Sequence, residues 1–166
     1  MAAIPLAVLL TLMIPLTAIA QPTASPVYTA ADDEQFAKLL AAVGTWNCKY
    51  TPASRVPDVM TVAQRGNWVV FSETGSNPGI TFERWNPSQK LYVANTIAND
   101  GETFIQTTTS RDPFNATWKT VWPTALPERL NPNITFSMSG YTMTAKYEYL
   151  DPNGNPTPGE SVCTKA

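Results

Sequence analysis

Glu73 and Glu83 lie on successive stretches that read as strands, and two carboxyls on neighbouring strands could face each other across a hairpin, as glycosidase acid–base pairs do. The plainer reading is a solvated face or an ion pair with the adjacent Arg84. The chain contains no histidine. That excludes Ser-His-Asp and Cys-His nucleophile systems, His-ligated zinc and a proximal-His haem, all of which depend on imidazole. The cysteines are Cys48 and Cys163, with no third thiol to compete for either. Such a pair behind a leader reads as a structural disulfide, because oxidising compartments preserve the bond that the cytosol would reduce. Oxidised sulfurs are neither nucleophiles nor metal ligands, so no cofactor is called for. The run Asp151-Pro152-Asn153-Gly154-Asn155 clusters oxygen ligands, yet it lacks the spacing and closing glutamate of a calcium loop, and turn chemistry explains it better. Asn115-Ala116-Thr117 and Asn133-Ile134-Thr135 match the glycosylation sequon, which matters only in a eukaryotic host.

The elements that must hold these groups begin after an apolar leader. Residues 1–20 carry no charged side chain and end in Ala18-Ile19-Ala20, a small-x-small pattern that predicts export with cleavage after Ala20. An uncleaved N-terminal anchor is the alternative, although Pro5 and Pro15 make the stretch a poor helix. Residues 21–30 read as a flexible lead-in and residues 31–166 as one domain. No later stretch is long and apolar enough to span a membrane. A net charge of −2 and a pI near 5.0 give no basic footprint for nucleic acid.

From Asp32 to Val43 the apolar Phe36, Leu39, Leu40 and Val43 recur at helical spacing, acidic residues favour the start, and Gly44 stops the helix. Thereafter the period becomes two, with Trp46, Cys48 and Tyr50 on one strand face. Further strands are predicted at Val59–Arg65, Asn67–Thr74, Ile80–Trp85, Lys90–Ile97, Thr103–Thr109, Thr117–Trp122, Ile134–Met138, Tyr141–Leu150 and Glu160–Thr164. Gly-, Asn- and Pro-rich turns separate them, and Pro123–Asn133 reads as a loop at one barrel mouth. No crossover helices are available for parallel strands. The expected fold is all-β, an up-and-down antiparallel barrel of about 8–10 strands after one short helix. A Cys48–Cys163 bond favours closure over a sandwich, because it needs the first and last strands side by side with their Cα atoms about 4.4–6.8 Å apart.

Gly44-Thr45-Trp46, opening the first strand after a short helix, resembles the Gly-x-Trp start of lipocalin-like, calycin-type barrels. Gly66-Asn67-Trp68, Phe82-Glu83-Arg84-Trp85-Asn86-Pro87, Tyr92, Asp100-Gly101 and Val162-Cys163-Thr164 also look like an uncharacterised group of secreted bacterial barrel domains. The Thr-Asp-Tyr motif of lipocalins is not found in the chain, so the resemblance carries the barrel architecture. It implies a small, mostly apolar ligand held inside. The haem use of nitrobindin-like barrels, a related fold, does not transfer to a chain without histidine.

Five Trp, six Tyr and six Phe supply candidate walls. The inward-facing candidates are Trp46, Tyr50, Phe71, Glu73, Trp85, Tyr92, Trp118 and Tyr147, with Trp46 alternatively plugging the barrel floor beneath the helix. A one-residue slip would turn every face around. A barrel of this size accommodates either a packed centre or a one-ligand cavity. The leading expectation is therefore non-covalent binding of a small apolar molecule. A solid barrel that contacts envelope components through its surface or the Pro123–Asn133 loop is the alternative, and a carboxylate hydrolase is third. Ligand identity and oligomeric state are left open.

Overall fold

A computed structural model describes residues 29–52, 58–75, 78–98, 101–122, 133–150 and 153–166. The predicted leader and nearly all of the lead-in, the 123–132 loop and Asp151-Pro152 lie outside these residues. Helix α1 spans Ala30–Leu39 and tightens into a 3-10 turn at Leu40–Ala42. Thr29 caps it: its hydroxyl oxygen accepts from the Asp32 N–H while the Asp32 carboxylate accepts from the Thr29 backbone N–H. Val43, expected to continue the apolar stripe, falls beyond the helix and is exposed, because the 3-10 turn ends the helical spacing at Ala42.

Ten strands follow in the described residues: β1 Gly44–Thr51, β2 Asp58–Arg65, β3 Trp68–Thr74, β4 Gly79–Asn86, β5 Leu91–Ala98, β6 Thr103–Thr108, β7 Ala116–Trp122, β8 Asn133–Ser139, β9 Thr142–Leu150 and β10 Pro156–Lys165. Every neighbour pairs antiparallel, and β1 pairs with β10 to close the barrel. Two-residue turns at Gly66-Asn67 and Gly140-Tyr141 make the tightest hairpins, and their glycines supply the positive φ (61° and 57°) that other residues resist.

Closure rests on the seam. Cys48 and Cys163 are directly opposite in the β1–β10 register, 4.0 Å apart at Cα, and they form a buried disulfide. Such a bond fits an extracellular or periplasmic setting. Strand β10 begins four residues earlier than predicted. Pro156 and Pro158 argue against a strand by sequence, but this segment pairs only with β9 and runs beyond the end of β1, so neither proline removes a ladder bond that a second neighbour needs. In β7, Val121 is an extra residue against β6, since Ile105 pairs with Trp122 and Gln106 with Thr120.

The core concentrates at the end beneath the helix. Leu39, Trp46, Val62, Val69, Tyr92 and Trp118 are almost wholly inaccessible. Each aromatic there satisfies its polar tip. Trp46 Nε1 donates to the Ala42 carbonyl at 2.8 Å, Trp85 Nε1 to Asp32 Oδ1 at 2.7 Å, Tyr92 hydroxyl to the Gln35 carbonyl at 2.8 Å, and Trp118 Nε1 to the Pro113 carbonyl at 2.8 Å. The helix is thus tied to β1, β4 and β5 by hydrogen bonds as well as by packing.

Candidate functional site: a two-sided cavity in the barrel

Beyond that packed floor the interior is hollow, with a cavity of about 440 Å³. Strand alternation turns the residues of each inward face toward it. The pairing registers arrange them in rows. Glu73, Gly79 and Ala98 form the outermost row of β3–β5; Phe71, Thr81, Thr96 and Phe104 form the next across β3–β6; Val69, Glu83, Ala94 and Gln106 form the third. Trp85 and Tyr92 belong to a fourth row, against the floor.

The two sides of this cavity differ in chemistry. On β3–β6 the wall carries Glu73, Thr81, Glu83, Thr96 and Gln106 interspersed with Phe71, Ala94, Ala98 and Phe104; on β7–β9 it is Trp118, Ile134, Phe136, Met143, Ala145 and Tyr147. On the polar side the hydroxyls of Thr81 and Thr96 lie 2.9 Å apart, and Gln106 Nε2 donates to Thr120 Oγ1 at 3.3 Å. Ala94 sits between Glu83 and Gln106 in the register and presents only a methyl group to the cavity.

The two carboxyls depart from ordinary surface behaviour. Glu73 accepts a hydrogen bond from the Tyr50 hydroxyl, and burial pushes its pKa up to about 7. Glu83 is 6% exposed, its Oε2 has no hydrogen-bond partner, and burial pushes its pKa up to about 8. Three described residues of the cavity wall are glutamates, Glu102 being the third, and none is Lys or Arg. No group of three or more His, Cys, Asp or Glu side chains is placed to hold a metal among the described residues.

Five of the eight residues singled out by sequence, Tyr50, Phe71, Glu73, Trp118 and Tyr147, line the cavity. The other three, Trp46, Trp85 and Tyr92, point inward but belong to the floor, where partners on the helix and its 3-10 turn hold them. The expected Glu73–Glu83 opposition is corrected by the register: Glu73 faces Gly79 and Glu83 faces Val69. Their Cα positions are offset by four residues, about 13 Å along the strand. Arg84 pairs with neither; its guanidinium stacks on the Trp68 ring, 4.6 Å from the centroid, on the opposite sheet face.

Thr81 and Gln106 were not among the residues singled out by sequence, and Glu83 was weighed only as the partner of Glu73, not as part of the ligand wall. The signal was present, because Thr81, Glu83 and Trp85 share parity on β4 and Trp85 was already assigned inward. A glutamate in that register looked like a surface residue, and only the closed ladder shows it enclosed.

A scan of protein-family models finds no match to this chain, and a search of curated protein sequences finds none either.

Proposed function

We propose that the protein is an exported, calycin-like carrier that binds one small, mostly apolar molecule non-covalently inside its barrel. The observation that carries this reading is the 440 Å³ cavity inside the barrel, a volume within the range of small-molecule sites, lined by aromatic and aliphatic side chains with a few polar groups, chiefly from β3–β6. Export is supported by the leader-like residues 1–20 and by the buried disulfide. The register also removes the direct cross-strand opposition of Glu73 and Glu83 on which the hydrolase alternative rested.

The test is saturable uptake of N-phenyl-1-naphthylamine, a neutral apolar fluorophore, followed by emission at equilibrium. We expect one site per chain. We also expect at least ten-fold weaker uptake in Ala94→Phe, which sets a ring into the cavity between Glu83 and Gln106, and in Ala145→Leu on the facing wall. Native mass spectrometry of protein from its own source should show a retained small molecule. A probe signal that never saturates, or that is indifferent to both substitutions, overturns the carrier reading.

A further inference from the structure

Resting on the carrier reading, the chemistry of the polar wall narrows the ligand. Glu83 is a buried carboxyl aimed into the cavity with one oxygen lacking any partner. A buried oxygen of this kind costs free energy unless something satisfies it. Nothing cationic in the described wall does so, for the cavity gathers three glutamates and no basic residue. Ala94, between Glu83 and Gln106 in the register, lines the same cavity and presents only a methyl group beside Glu83. Phe71 and Phe114, 6.4 Å apart between centroids, and Trp118 line the same cavity, and aromatic rings are partners that organic cations favour.

We infer that the cavity takes a protonated organic amine, its ammonium docked on the Glu83 carboxylate and its apolar body laid against the β7–β9 wall. The proton balance is explicit. Glu83 is mostly neutral at pH 7, so binding is Glu83–COOH plus R–NH₃⁺ giving the ion pair Glu83–COO⁻···⁺H₃N–R, with one proton released to buffer. Amine affinity therefore rises as pH climbs from 6 to 8, while the free amine is still protonated.

The experiment compares three probes of one shape by titration calorimetry: 2-(naphthalen-1-yl)ethylamine, 2-(naphthalen-1-yl)ethanol and naphthalen-1-ylacetic acid. At pH 7 the amine should bind at least ten-fold tighter than the alcohol, and the acid more weakly than either. Buffers of different ionisation enthalpy should report release of about one proton with the amine and none with the alcohol. Glu83→Gln should abolish the amine's advantage over the alcohol when both are measured on the variant, and Glu83→Asp should retain it; near-UV circular dichroism checks that each variant is folded. Equal affinity for amine and alcohol in the unmodified protein overturns the amine assignment and leaves the carrier standing. An amine preference that survives Glu83→Gln removes Glu83 as its anchor. Failure of all three probes, together with N-phenyl-1-naphthylamine, overturns the carrier itself.

Discussion

Glu73 and Glu83 differ in what surrounds them, and that difference is measurable. Both are raised by desolvation, but Glu73 has the Tyr50 hydroxyl on one oxygen whereas Glu83 Oε2 has no donor. Carboxyl NMR titration should find the two groups near pH 7 and pH 8, well above the ordinary glutamate range. Tyr50→Phe removes a donor that favours the charged form, so it should raise the Glu73 midpoint further and leave Glu83 in place. A Glu73 midpoint that stays put would mean that the phenol does not hold the carboxylate. Tyr147 makes a separate point about packing. Its ring lies against Gly159, its cross-strand partner on β10, so closely that an added Cβ would collide with the ring. Gly159→Ala should force that ring off the strand, at a cost of about 1–3 kcal/mol in urea unfolding.

At the scale of elements, Asp32 joins the helix to the barrel. It accepts from Thr29 within the capping box, from Trp85 Nε1 on β4, and from Lys90 Nζ at 3.0 Å in the β4–β5 turn. Those donors hold its carboxyl well below the usual aspartate range. Thr29→Ala should cost about 1 kcal/mol through the lost cap. Trp85→Phe keeps the ring but strands Asp32 without a donor from β4, so hydrogen exchange in α1 should accelerate more than exchange in the strands. Uniform acceleration would show that the helix does not open independently. Much of this element was legible. Acidic residues ahead of Phe36 and Leu39 marked the helix start, and Gly44-Thr45-Trp46 marked the switch to period two. What the sequence could not show was that Trp85 and Lys90, more than fifty residues away, complete the partners of Asp32, since that contact exists only once β4 and β5 have closed under the helix. The same reason hid Glu83: parity along β4 was readable, but enclosure depends on strands drawn from the whole chain.

For the whole molecule, closure and charge set stability together. The Cys48–Cys163 bond ties a loop of 115 residues, for which chain entropy gives about 5 kcal/mol and measured losses run about 2–5 kcal/mol. Replacing both cysteines by serine should lower the urea midpoint accordingly; an unchanged midpoint would mean that the ladder alone closes the seam. The pH dependence has two opposed limbs. Asp32 has a folded pKa below its unfolded value, so its contribution is present above about pH 4 and lost on acidification. Glu73 and Glu83 shift the other way. Between the unfolded value near 4.5 and folded values of about 7 and 8, the folded state holds protons that the unfolded chain has released, so stability falls as pH rises. Maximal stability therefore belongs between about pH 4 and 5, with several kcal/mol lost by pH 8 and the loss shared between Glu73 and Glu83. Glu83→Gln cannot ionise, so it should flatten the alkaline limb to the smaller slope left by Glu73, and urea midpoints taken from pH 4 to 9 would read the difference directly. A wild-type midpoint that holds level or climbs from pH 5 to 8 would show that the interior carboxyls are not kept neutral by burial. A bound amine should rescue the same limb, because it stabilises the ionised Glu83 that the empty barrel disfavours.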